Sequence, residues 1–420
     1  MKALIKTLII LLVTTFFSCS SEDDSVSVEV VSPPEVNTAP TAVNLSLEEQ
    51  ECNMIGLSWS ASSDINENNS ITYKVYINDV VVASDLTGLM YTFEVSLSNY
   101  PAVINVTATD NLQAESELSN TLEIEFPVSD NINFTDANLK QALLDNPEPI
   151  DINLDGEISE CEASLFTETL SLSQKEISSL SDIVYFTNAR DLNAVGNNIT
   201  DVSVLTDSSF ERIFLSFNQL ESFDMEGNSN VKVLSIEHNE LISIDLSQFV
   251  NLESARLSNN NLSSIDLSNN PLLSILNLTR NSISQVDVSQ NQELTELYLS
   301  FNNLTIIDVS SNVNLEKLDV SENLLTSLFI EQNTNLKGVY CSDTFIEQLD
   351  LSNQPNLEEF VALRSSQLVQ LDLRNGNNSM LELMIVNESP NLSCIEVDDV
   401  DNIPSDWQKD DSASYSLDCN

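Results

Sequence analysis

From Leu170 onward the chain repeats itself. Units of nearly constant length begin at Leu170, Leu192, Ile213, Leu234, Ala255, Leu276, Leu297, Leu318, Val339 and Phe360, most of them 21 residues apart, and an irregular unit begins near Met384. Each reads approximately L-x-L-x-x-N-x-L-x-x-L-D-L-S-x-N-x-x-L. A unit this short cannot enclose a core, so its leucines are buried only when successive units stack; the stable object is the array. The first L-x-L of each unit predicts a strand of a parallel sheet, apolar residues inward and intervening ones outward.

Polar columns run through the same register. Asn197, Asn218, Asn239, Asn260, Asn281, Asn302 and Asn323 fall where the chain turns inward. A buried amide there can satisfy backbone groups on adjacent coils, which an apolar residue could not. Thr344 and Ser365 interrupt the column, which predicts less regular last coils. Asp224, Asp245, Asp266, Asp287, Asp308, Asp350 and Asp372 form a second column. Stacking would set these carboxylates one strand spacing apart, on the order of 5 Å. Two readings stay open: each caps a backbone turn, or the row attracts counterions. Cys341 stands where other units carry Leu or Val and reads as a buried, inert thiol.

Between the leucines of residues 297–317 stand Tyr298 and Phe301, where neighbouring units mostly carry Ser, Thr or Asn. The equivalent outward positions hold Phe214, Phe217, His238 and Tyr340. The same face or its flank carries Arg190, Arg212, Lys232, Arg256, Arg280, Lys317, Lys337 and Arg364. Tyr, Phe and Arg are favoured interface anchors, so Arg212, Phe214, Phe217, His238, Arg256, Arg280, Tyr298, Phe301 and Tyr340 are the candidate ligand-binding residues. The competing reading is that the cations neutralise Glu211, Glu253, Glu296, Glu316 and Glu358 and stack between coils.

The gathering of cations matters because the chain is acidic: 15 basic against 66 acidic residues, net charge −51. Such a field repels nucleic acid and anionic lipid and excludes a nucleic-acid role. The apolar fraction of 41% is enough to build real cores. The opening "MKALIKTLIILLVTTFFSC" carries two lysines and an apolar run from Leu8 to Phe17, too short to span a bilayer, and reads as a signal peptide ending at Cys19. Its removal (residues 1–18) takes Lys2 and Lys6, leaving 13 basic against 66 acidic groups, or −53. Ser18-Cys19 resembles the lipobox of bacterial lipoproteins, which implies lipidation of Cys19 and a membrane tether. "SSEDD" (20–24) resembles the acidic tag that sends lipoproteins of the Bacteroidota to the outer face of the outer membrane; the alternative is a solvated linker.

Between Thr38 and Phe126 short alternating strands separated by polar turns predict a β-sandwich. "DINLDGEISECE" (151–162) offers Asp151, Asn153 and Asp155 as oxygen donors, a turn at Gly156, the Glu157 carbonyl, Ser159 and Glu162, with Ile158 apolar between them. It matches the EF-hand loop position by position and predicts a structural Ca2+ that stiffens an N-terminal cap. Cys394 and Cys419 bracket the segment where the repeat ceases, and a disulfide between them would close a terminal cap. That leaves Cys52 and Cys161 unpaired, a bond between them staying open.

The repeat resembles the leucine-rich repeat family, in 21-residue units like those of the internalin-like class, and the segment around Trp59 resembles a fibronectin type III or related immunoglobulin-like module. The expected fold is multidomain: a β-sandwich, then a curved, parallel-β leucine-rich-repeat solenoid with a small helical calcium-binding N-terminal cap. The expected divisions are signal peptide 1–18, lipidated tether 19–37, sandwich 38–126, helical cap 127–169, repeats 170–393 and C-terminal cap 394–420. The whole chain resembles surface leucine-rich repeat lipoproteins of the Bacteroidota. That implies adhesion, with a protein partner on the concave face of a protein anchored by lipid to the outer membrane and exposed at the cell surface. The alternatives are a glycan-capturing component of a nutrient-uptake system and a structural envelope protein. An enzyme is not expected: the chain has one histidine, His238, and no nucleophile elbow, zinc spacing or phosphate loop.

Overall fold

A computed structural model describes residues 36–66, 70–95, 99–127, 129–206, 208–225 and 227–419. The signal segment, Cys19 and residues 20–24 lie outside the described residues. No helix among the described residues is long and apolar enough to cross a membrane.

The N-terminal strands form two small antiparallel sheets. Leu45–Gln50, Met54–Trp59 and Met90–Glu94 make one; Ile71–Ile77, Val80–Leu86, Ala102–Asp110 and Leu122–Ile124 make the other. Alternation puts Ile55, Leu57 and Trp59 from the first and Tyr73, Val75, Ile104 and Val106 from the second into one shared core. The Trp59 and Tyr73 rings meet there, 5.5 Å between centroids.

Two short helices follow, Ala137–Leu144 and Glu160–Leu165. Asp136 caps the first, accepting from the Asn138 and Leu139 amides, and also takes the Ser178 and Ser179 amides of the first coil. One carboxylate therefore closes the helix and fastens it to the array. Ser159 and Glu162 form a reciprocal capping box on the second helix. Leu139, Leu143, Ile150 and Ile158 run into the same continuous core as Leu170 and every later coil.

The leucine-rich repeats form a parallel β-solenoid. One strand per coil, from Thr169–Ser171 to Gln408–Lys409, builds a twelve-stranded parallel sheet. The register sets like on like, Leu276 beside Leu297 beside Leu318, so the leucines stack into a fully buried spine. The asparagine column does what its chemistry requires. Asn218, for example, donates to Leu215 O in its own coil and Ala194 O in the one before (both 2.9 Å), and accepts from the Ile199 amide at 3.0 Å. Asn239, Asn260 and Asn302 repeat the pattern. A second buried amide column was present in the S-x-N of the repeat without an assigned role. Asn291, Asn312 and Asn333 each donate to two carbonyls of the preceding coil, as in Asn312 to Val288 O (3.0 Å) and Asn291 O (2.8 Å).

The aspartate column resolves in favour of turn caps. Asp245, Asp266, Asp287, Asp308 and Asp350 each accept the amide of the serine two residues on, at 2.8–3.0 Å. The serine amides of residues 247, 268 and 289 are the chief reason that Asp245, Asp266 and Asp287 ionise below the ordinary carboxylate range.

Where Thr344 and Ser365 replace the asparagine, Thr344 reaches only Cys341 O of its own coil. Those two coils open a second, four-stranded parallel sheet, Gln348–Asp350, Gln370–Asp372, Cys394–Glu396 and Ser414–Ser416. This ladder adds cross-coil bonding where the first amide column stops, while the second continues through Gln354 and Asn375. Parallel pairing also runs on through residues 394–416, the segment set apart above as a cap. The leucine spacing fails there because Trp407 and Ala413 fill the core, the Trp407 indole N–H donating to Leu381 O at 2.9 Å.

Cys394 and Cys419 are joined by a disulfide. The unpaired reading of Cys52 and Cys161 is corrected: they form a second disulfide, tying the turn after Leu45–Gln50 to the cap helix Glu160–Leu165. Cys341 is the free cysteine among the described residues, buried, its thiol pushed up to about 12 by that burial, which keeps it protonated and inert.

Candidate ligand-binding face

The outer surface of the twelve-stranded sheet carries two in-register columns. One runs Arg212, Val233, Ser254, Ile275, Glu296, Lys317, Gly338, Glu359; the other Phe214, Ser235, Arg256, Asn277, Tyr298, Asp319, Tyr340, Val361. Of the nine candidates, Arg212, Phe214, Arg256, Tyr298 and Tyr340 belong here.

The other four do not lie on the strands. Phe217, His238, Arg280 and Phe301 sit just beyond them at φ 58°, 54°, 58° and 55°. Every regular coil makes this left-handed turn, with Gly196 and Asn259 at the same place. Those residues suit the conformation, whereas a bulky side chain there costs about 1 kcal/mol or more. Tyr298 and Phe301 therefore belong to different rows, one on the sheet and one along its margin. Within the marginal row the Phe217 and His238 rings stack at 4.1 Å and 12°, and the Arg280 guanidinium lies 4.1 Å above the Phe301 ring. Phe217 is 53% and Phe301 40% exposed, so each ring pair still offers a face or edge to a ligand.

The two tyrosines are fixed by neighbours. Tyr298 donates to Glu296 Oε2 at 3.0 Å; burial and this bond push its hydroxyl up to about 12. Tyr340 donates to Glu359, and burial, then this bond, raise it as well. Its ring lies against Gly338, where a Cβ would stand 3.0 Å from it. The missing side chain at Gly338 is what allows Tyr340 to reach the next strand.

Five of the eight cations are neutralised as the competing reading held. Arg212 forks onto Asp191 at 2.8 and 2.5 Å, drawing that buried carboxylate below its ordinary range. Arg190 and Lys232 share Glu211, Lys337 pairs with Glu316, and Arg364 with Asp343 and Glu322. Arg256, Arg280 and Lys317 have no ion-pair partner among the described residues, and all three lie around Tyr298. Beyond Tyr340 the face continues as half-buried Val361, Leu363, Leu383 and Ile385. Sequence reasoning missed these four because it searched the outward positions for aromatic and basic side chains, although the units at Phe360 and Met384 already place these aliphatic residues outward.

The 151–162 loop folds back on its own carboxylates. Asp151 accepts from the Asp155 and Gly156 amides (3.2 and 2.9 Å), Asn153 from Asp155 (3.0 Å) and Asp155 from Glu157 (2.8 Å). Gly156 turns at φ +82°, and Ile158 is fully buried. The buried Glu162 carboxylate accepts from the Ile152 and Ser159 amides, both at 2.8 Å, and Glu157 pairs with Lys140 at 2.6 Å. The loop thus has the donors and the turn of a calcium site. Ser159 and Glu162 serve as helix caps, and no three His, Cys, Asp or Glu side chains converge as a metal cage among the described residues.

No protein-family model and no curated protein matches the chain. Solved structures similar to it include the functional domain of InlJ from Listeria monocytogenes (20% identity, TM-score 0.49, covering 62% of this chain and 66% of that one). They also include the internalin InlF from the same organism (17%, TM-score 0.44, 68% and 96%) and YopM, a leucine-rich effector protein from Yersinia pestis (19%, TM-score 0.41, 54% and 65%). The chain spans just under two thirds of the InlJ domain. At these scores the coil-on-coil pairing of the chain itself carries the fold: a leucine-rich-repeat β-solenoid preceded by two small antiparallel sheets.

Proposed function

We propose that this is a surface-anchored adhesion protein whose twelve-stranded face, as the concave surface of the array, grips a protein partner. The observation that carries the reading is the state of Arg256, Arg280 and Lys317. In a chain of net charge −51 they stand, among the described residues, without ion-pair partners beside Tyr298, Phe301 and Tyr340. Fixed aromatic rings lose little entropy on binding, and unpaired guanidinium groups keep their hydrogen bonds for the ligand. The apolar continuation through Val361 and Ile385 favours a protein epitope over a glycan. In this reading the two antiparallel sheets are a fibronectin type III-like spacer and Cys19 bears the lipid.

Pull-down with the mature chain from membrane and extracellular extracts should recover a protein. The Arg280→Ala, Tyr298→Ala, Phe301→Ala variant should bind it about 30-fold or more weakly, as expected when about 2 kcal/mol of anchoring is lost. Equal capture by a folded triple variant would refute the site. For the anchor, Cys19→Ala is expected to move the protein from the envelope fraction to the soluble one; unchanged retention would exclude lipidation there.

The 151–162 loop belongs to the same proposal as a structural calcium site. Asp151, Asn153 and Asp155 would hold the ion with the Glu157 carbonyl, and the ion would offset the mutual repulsion of the carboxylates. At a concentration 100-fold above Kd, calcium would stabilise the fold by about 2.7 kcal/mol. The unfolding midpoint should rise in calcium relative to chelator, and this rise should vanish in Asp155→Ala. Identical melting in both conditions would rule the ion out.

A further inference from the structure

We infer that a groove on the second parallel sheet, away from the twelve-stranded face, binds a neutral saccharide. The inference begins with a break in the repeat. Asp245, Asp266, Asp287, Asp308 and Asp350 each cap a turn, but the coil between the last two places Phe329 at that position. The chain there gives up a capping bond and leaves an aromatic ring 63% exposed. Neither change helps the fold, and departures from local consistency concentrate at functional sites.

Phe329 forms one wall of a groove of about 640 Å³. Its floor is rigid. Arg374 holds Asp372 at 3.0 and 2.6 Å, Glu396 at 2.6 Å and the Leu417 carbonyl at 3.2 Å. Gln348 and Gln370, also in the groove's lining, lie in register on adjacent strands, both exposed and with no side-chain hydrogen bond among the described residues. Each free amide both donates and accepts. Two such amides one strand spacing apart, facing an aromatic wall, suit a ring with an apolar face and alternating hydroxyls. Glu331 and Asp350, which have no ion pair among the described residues, set the charge of the ligand: they repel uronate or sulfated sugars. The groove shares no residue with the face assigned to the protein partner, so the two readings stand or fall separately.

The test is isothermal titration of the full mature chain with cellohexaose, xylohexaose, mannohexaose and laminarihexaose, with oligogalacturonate and tetralysine as charged arms. At least one neutral hexasaccharide should bind. Phe329→Asp restores the residue of the neighbouring coils and is expected to fold; it should weaken that binding about tenfold or more, as should the Gln348→Ala, Gln370→Ala pair. Asn303→Ala, at an exposed residue of neither surface, should leave it unchanged. The proposal is overturned if no neutral sugar binds, if Phe329→Asp binds equally well, or if oligogalacturonate or tetralysine binds more tightly than every neutral sugar.

Discussion

Replacing Asn302 with leucine should destabilise the array by about 4 kcal/mol although the two side chains are close in size. Asn302 donates to Leu278 O at 2.9 Å and Leu299 O at 3.0 Å and accepts from the Ile283 amide at 2.9 Å, all inside the coil stack. Leucine would strand the Ile283 amide where water does not reach and remove one of two side-chain bonds at each carbonyl, since Asn281 still donates to Leu278 O at 3.0 Å and Asn323 to Leu299 O at 2.9 Å. The stranded amide costs about 1–3 kcal/mol and each lost carbonyl bond about 1 kcal/mol. The damage spans two coils, because two of these three bonds cross to the preceding one. Asn303→Ala, next door and exposed, should change stability by about 0.5 kcal/mol or less. Urea denaturation of both variants, followed by circular dichroism, decides the matter; a loss under about 1 kcal/mol for Asn302→Leu would mean that the ladder is ornamental.

The Cys52→Ala, Cys161→Ala double variant should show an effect of similar size at the other end of the core. The bond closes a loop with a sequence separation of 109, enclosing most of the N-terminal sheets and the entry into the cap. Chain entropy alone assigns about 4.7 kcal/mol to closing a loop near that length, an upper figure for a transition that unfolds both ends of the bond. Cap and sheets should then melt at lower denaturant, with protease reaching the connection between Ile124 and Ala137 sooner than in the parent. Coincident melting and unchanged digestion would show that the bond joins units already held together by other contacts.

Much of this architecture is legible because one residue type at one period has one physical use. Leucines at fixed offsets must stack, an asparagine facing inward must bond across coils, and an aspartate before Leu-Ser caps the turn that follows. The Cys394–Cys419 bond was readable because it sits where the array must end. Cys52–Cys161 was not, since no local pattern brings a strand turn against a helix so far along the chain. The split of the candidate face into two rows was hidden for another reason. Phe217, His238, Arg280 and Phe301 carry no signature of left-handed backbone, and only Gly196 and Asn259 in the same column betray it. Ion pairing was the least legible of all. Which five cations are neutralised depends on where Asp191, Glu211, Glu316, Glu322 and Asp343 fall on neighbouring coils.

The left-handed margin has a consequence for how such a surface changes over generations. Glycine or asparagine at Phe217, His238, Arg280 or Phe301 would relieve backbone strain while erasing a contact. Drift toward stability therefore blanks the margin, and bulky side chains persist there only under selection for what they touch. Because each coil contributes one such residue outside the leucine spine, recognition can be rewritten one rung at a time without renegotiating the core.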